Sequence, residues 1–94
     1  MKLEIDQALM ELSNWKHPSQ EMIKIQLDYC SNVIAGSEEP ERLEELNIGV
    51  IAAREINEQE ILHSLLTKIQ FQMQKKYLSY AAQVRLNIHA IKNT

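Results

Sequence analysis

Three histidines (His17, His63 and His89), one thiol at Cys30 and thirteen carboxylates are the side chains of this sequence most able to do chemistry. Their spacing argues against it. No two histidines stand four apart around the glutamate of a zinc-protease helix, and a lone cysteine cannot build a thiolate zinc site, so no metal is expected. Gly36 and Gly49 are too far apart to form a phosphate-cradling loop, and no cofactor is expected. Cys30 falls on an apolar helical stripe, where a thiol acts as a small hydrophobe rather than a nucleophile. The carboxylates are plentiful, yet acid/base work needs a concave pocket that a few small packed helices hardly supply. The reading is of a chain that is not an enzyme.

The elements that must position these groups are all helical. The 94 residues fit one domain, 1–94, with 45% apolar residues, two Gly and two Pro. Periodicity and punctuation predict a small all-α bundle of about four helices and no strand. The first, about residues 3–15, puts Ile5, Ala8, Leu9 and Leu12 on one face and stops before Pro18. The second, about 19–35, carries Ile23, Leu27, Cys30 and Ile34 as one stripe and Met22, Ile25, Tyr29 and Val33 as its neighbour. Gly36 is placed to end it in a left-handed cap. Pro40 suits the first turn of a third helix.

The fourth helix is expected after Asn57, which with Glu60 three residues on makes a capping-box signature. From there Leu62, Leu66, Ile69, Met73, Tyr77, Tyr80, Val84, Ile88 and Ile91 follow at steps of three or four with no Gly or Pro between. A single helix of that length would run about 50 Å, longer than the others can cover. Either it breaks near Lys75, Lys76 or Ser79, or its distal half packs on a second copy as a homodimer.

Charge is unevenly spread. The net value is −3, but residues 1–37 carry −2, residues 38–60 carry −6 and residues 61–94 carry +5. The acidic middle repels nucleic acid and suits a basic protein partner, although solvated helix faces arranged to match helix dipoles would give the same pattern. Acidic residues interrupt the N-terminal apolar run, and no stretch nears the roughly 20 apolar residues of a membrane span, so a cytoplasmic chain without membrane contact is expected.

The third helix, "RLEELNIGVIAAREIN", carries the most information. Read at 100° per residue from Leu43, the arc from about 220° to 0° holds Leu43, Leu46, Gly49, Val50, Ala53 and Ile56. This is the expected core face, with Gly49 admitting the backbone of a neighbouring helix. Between about 40° and 140° lie Asn47, Ile51, Glu44, Glu55 and Ile48. Two isoleucines closed off by carboxylates suit recognition of a basic partner. A helix enclosed on both sides, with Ile48 and Ile51 in the core, fits the same wheel.

The run "RLEELNIGVIAAREINEQEILHSLLTKIQ", preceded by "IKIQLDYCSNVIAG", resembles the small α-helical immunity proteins of the type VI secretion system. In particular it resembles the family that protects bacteria from an NAD(P)-degrading effector toxin. Leu43, Leu46, Gly49, Ile51, Ala52, Glu55, Ile56, Leu62 and Leu65 carry the likeness, which covers about residues 5–70. It implies a cytoplasmic inhibitor that binds its cognate toxin domain and blocks access of NAD(P) to the active site. The contact residues expected on that reading are Glu44, Asn47, Ile48, Ile51 and Glu55, with Glu38, Glu39 and Glu41 as a steering rim facing a basic surface around the toxin's active site. The alternative is a helical adaptor or chaperone that homodimerises through its C-terminal helix.

Overall fold

The computed structural model describes residues 1–56 and 58–78. Among these residues four α-helices, α1 (Lys2–Ser13), α2 (Gln20–Ala35), α3 (Ile48–Glu55) and α4 (Glu60–Tyr77), follow one another, with a 3-10 helix at Pro40–Glu45 between α2 and α3. No strand occurs among the described residues, and none of their helices is long and apolar enough to cross a membrane. The expected all-α bundle is what the chain forms.

α1, α2 and α4 each bury a stripe that their spacing dictates. Ile5, Ala8 and Leu12 of α1 meet Ile23, Leu27, Cys30 and Val33 of α2 and Leu62, Leu66, Ile69 and Met73 of α4 in one core. The i, i+3/i+4 steps place each set within an arc facing its neighbours, so burial of these side chains supplies the main driving force. No polar or charged residue is buried among the described residues. α4 is the axis of the bundle: α1 packs along it on one side and α3 on the other, and α2 leans on α1.

Helix ends follow local chemistry. Gly36 takes φ +80°, and its amide donates to the Val33 carbonyl at 3.1 Å while the Ser37 amide donates to the Asn32 carbonyl at 2.9 Å. That pair of bonds is the Schellman arrangement, which satisfies carbonyls left over at the end of α2. At the end of α1, the Gln20 side chain donates to the Leu12 carbonyl at 2.8 Å. α4 stops at Tyr77, because Leu78 turns extended at φ −87° and ψ 148°. α4 thus ends next to Lys75 and Lys76, where the sequence allows a break. Tyr80, Val84, Ile88 and Ile91, and any dimer built on them, lie outside the described residues, as does the predicted cap Asn57; α4 opens at Glu60 after Gln59.

The third helix differs from its sequence reading. It is split: the 3-10 helix ends at Glu45, Leu46 is extended at φ −64° and ψ 125°, and α3 begins only at Ile48. A 3-10 helix advances about 120° per residue rather than 100°, and an extended residue resets the axis, so one wheel cannot span both parts. Within α3 alone the buried face is Ile48 and Ala52, continued by Ile56 at the cap, while Val50, Ala53, Arg54 and Glu55 face out. Ile48 is fully buried, and Val50 is 48% exposed. The faces are rotated with respect to expectation.

Candidate functional site

The 3-10 helix and the start of α3 are held by side chains from other helices. Asn47 is the N-cap of α3, but its own side chain does not cap the helix. Instead the Asn47 amide donates to Gln26 Oε1 at 2.9 Å, and Gln26 Nε2 donates to Asn47 Oδ1 at 2.6 Å. Two residues on, the Gly49 amide donates to Gln70 Oε1 at 2.7 Å, and one turn along α4 Gln74 Nε2 donates to the Leu43 carbonyl at 2.9 Å. These glutamines satisfy backbone groups that a short helix leaves unpaired. Gly49 leaves room for this reach: a Cβ there would stand 3.1 Å from Gln70 Oε1, which would have to shift slightly. The close neighbour is thus a glutamine side chain of α4, not the helix backbone that the sequence suggested.

Tyr29 performs the same service for the acidic connection. Its hydroxyl donates to the Glu39 carbonyl and accepts from the Arg42 amide at 3.2 Å, tying the start of the 3-10 helix to α2. The Arg42 guanidinium lies 5.6 Å from the Tyr29 ring centroid and its Nε 3.8 Å from Glu45. Between these elements runs a groove of about 210 Å³ lined by Ile25, Gln26, Tyr29, Arg42, Glu45, Leu46 and Asn47. Ile25 is 59% exposed and Met22, one turn earlier on the same stripe, 53%. The second apolar stripe of α2 is therefore covered toward its Val33 end, while Met22 and Ile25 at its other end face solvent, Ile25 in the groove that Glu45 also lines.

The residues expected to touch a partner fall into three groups. Glu38, Glu39 and Glu41 are exposed around the 3-10 helix, as a steering rim requires; Glu38 also accepts from Asn32 Nδ2 at 3.1 Å. Asn47, Ile51 and Glu55 form a row along α3 that turns toward α2: Asn47 pairs with Gln26, Glu55 accepts from Ser19 Oγ at 2.8 Å, and half-buried Ile51 packs against the core between them. Ile48 is enclosed in the core, and Glu44, half-buried, belongs to the 3-10 helix rather than to α3. The single axial row of Glu44, Ile48, Ile51 and Glu55 does not exist, because the break at Leu46 and Asn47 separates its first member and sends its second inward.

Sequence reasoning passed over Ile25, Gln26, Tyr29 and Glu45. Asn47, a favoured N-cap residue inside an otherwise helical run, was the available signal that a new helix starts there. Two further grooves open elsewhere. One of about 400 Å³ between α1 and α2 is lined by residues including Leu9, Leu12, Gln20 and Lys24. The other, about 340 Å³, lies beside Trp15, Arg54 and Glu58. Trp15 stacks on His17 with ring centroids 4.3 Å apart, and the Ser19 amide donates to His17 Nδ1 at 3.0 Å, so the α1 to α2 connection is itself ordered by side chains.

No cluster of three or more His, Cys, Asp or Glu suited to a metal occurs among the described residues. Cys30 is buried, and desolvation pushes its thiol from an ordinary value of 9.0 up to about 12, which keeps it protonated and poorly nucleophilic. What remains prominent is a surface for contact: exposed apolar side chains, a small groove and a crowd of glutamates. Neither the curated proteins nor the solved structures contain a match to the chain. The Tsi6 family model matches residues 4–75, well over half of the sequence and all of α2, the 3-10 helix and α3. The chain belongs to the Tsi6 family of type VI secretion immunity proteins.

Proposed function

We propose that this protein neutralises a cognate effector toxin by forming a stoichiometric complex with the toxin domain in the cytoplasm. It performs no catalysis of its own. The toxin is of the NAD(P)-degrading kind, and the immunity protein covers its active site so that the dinucleotide cannot enter. The observation that carries this reading, given the family, is exposed Ile25 lining one groove with Glu45, with Met22 exposed one turn earlier on α2 and Glu38, Glu39 and Glu41 exposed around the 3-10 helix that borders the groove. Apolar side chains contribute affinity when buried by a partner, and a single-sign rim raises the encounter rate with a basic surface. An enzyme active site that binds a dinucleotide through its phosphates offers such a basic surface.

Glu38, Glu39, Glu41 and Glu44 supply the charge, Asn47, Ile51 and Glu55 border the contact along the seam between α2 and α3, and Ile48 supports the fold from beneath. The test is co-expression of this chain with the toxin encoded in the neighbouring reading frame. Rescue of growth together with co-purification supports immunity. A toxin that kills regardless, and fails to co-purify, contradicts it.

A further inference from the structure

Resting on that reading, we propose that the groove between α2 and the 3-10 helix is the anchor point of the complex, and that it receives a lysine or arginine side chain of the toxin. The volume, about 210 Å³, falls below the roughly 300 Å³ at which small-molecule sites begin, and suits a single long side chain. Its walls match such a side chain along its length. Ile25, Tyr29 and Leu46 offer apolar and aromatic surface to the methylene stem, and Glu45 offers a carboxylate to the charged head.

The chain's own Arg42 displays the same chemistry. Its guanidinium lies near the Tyr29 ring and only loosely against Glu45, at 3.8 Å with both side chains more than 70% exposed. So open a pair contributes little to stability and leaves the carboxylate able to accept a second cation. The surroundings select for that cation: residues 38–60 carry a net charge of −6. None of the other exposed large apolar residues among those described, Leu3, Met10, Met22, Val50, Ile61 and Phe71, lines this groove. Leu3 and Met10 of α1 border none of the three grooves, and Phe71 of α4 has Lys75 5.8 Å from its ring, whereas Ile25 has Glu45 in its groove.

The experiment measures the affinity of the toxin domain from the neighbouring reading frame for the full chain and for Ile25→Asp, Glu45→Lys, Glu45→Gln and Met10→Asp. All three sites are exposed, and circular dichroism with a denaturant midpoint checks each fold. The groove assignment predicts that Ile25→Asp and Glu45→Lys each weaken binding roughly 30-fold or more, the loss typical of a hot spot. Glu45→Gln should flatten the salt dependence of the affinity, and Met10→Asp should bind like the parent. Parental affinity in both Ile25→Asp and Glu45→Lys overturns the groove. Loss in Ile25→Asp with no effect of either Glu45 change overturns the basic occupant. If the unmodified chain forms no complex, the immunity reading fails first and takes the groove with it.

Discussion

Gln26 and Asn47 exchange two hydrogen bonds, side chain to side chain at 2.6 Å and backbone amide to side chain at 2.9 Å, and so join the middle of α2 to the first residue of the α3 cap. The pair closes one end of the groove, and it is the link through which α2 sets the position of α3. Replacing either residue by alanine is expected to lower stability by about 0.5–1.5 kcal/mol, the usual net worth of such bonds. Because the two act on each other, the double variant should lose less than the two single losses combined. Urea denaturation of the four proteins checks this; full additivity would show that the pair is not coupled.

Ile48 and Ile51 stand three residues apart and serve different ends. Ile48 is fully enclosed, whereas Ile51 is half-buried at the seam with α2. Ile48→Ala should cost about 2–5 kcal/mol of unfolding free energy through the cavity it leaves, and Ile51→Ala distinctly less. Thermal or chemical unfolding compares them directly, and an equal cost would contradict the assigned burial.

The two glycines should also separate. Gly36→Ala places a Cβ in a left-handed residue at φ +80°, and a loss of about 1 kcal/mol is expected even though no atom lies within 4 Å of that Cβ. Gly49→Ala gains helix propensity but pushes on the far end of the Gln70 side chain, 3.1 Å away, and strains its bond to the Gly49 amide. These effects are of similar size, roughly 1 kcal/mol each, so a net change well below that of Gly36→Ala is expected. Denaturant midpoints decide the order.

Cys30 should resist thiol reagents in the native protein and react once the chain unfolds, since the thiol is buried and protonated. The folded value is raised, so its contribution to stability is complete below 9.0 and is lost as pH climbs toward about 12, where the unfolded chain releases a proton that the folded chain retains. The stability advantage of the parent over Cys30→Ala should therefore be smaller at about pH 10.5 than at about pH 8. An advantage independent of pH would contradict the inferred burial of the thiol.

Much of the fold was legible because it depends on short-range periodicity. The stripes of α1, α2 and α4 and the glycine that ends α2 follow from spacing and from a few residues with strong backbone preferences, whereas the end of α4 at Tyr77 falls inside a run whose spacing continues unbroken. The candidate site was less legible, for two physical reasons. The wheel drawn through residues 42–57 assumed one helical phase, and a 3-10 helix followed by an extended residue changed it, which sent Ile48 inward and Val50 out. Apolarity does not distinguish a stripe that meets the core from one left for a partner: Val33 and Ile25 share a face of α2, yet one is 5% and the other 59% exposed. That difference is set by tertiary packing, as is the position of the 3-10 helix, which Tyr29 and Gln26 hold through bonds to residues 10 to 21 positions away in sequence.

The most direct test of immunity by occlusion is a titration of the purified toxin domain with this protein while cleavage of NAD(P) is followed. Activity is predicted to fall linearly to near zero at one equivalent, and excess dinucleotide should slow the onset of inhibition, because both compete for the same site. A toxin that still cleaves NAD(P) when saturated with the bound protein would contradict the account.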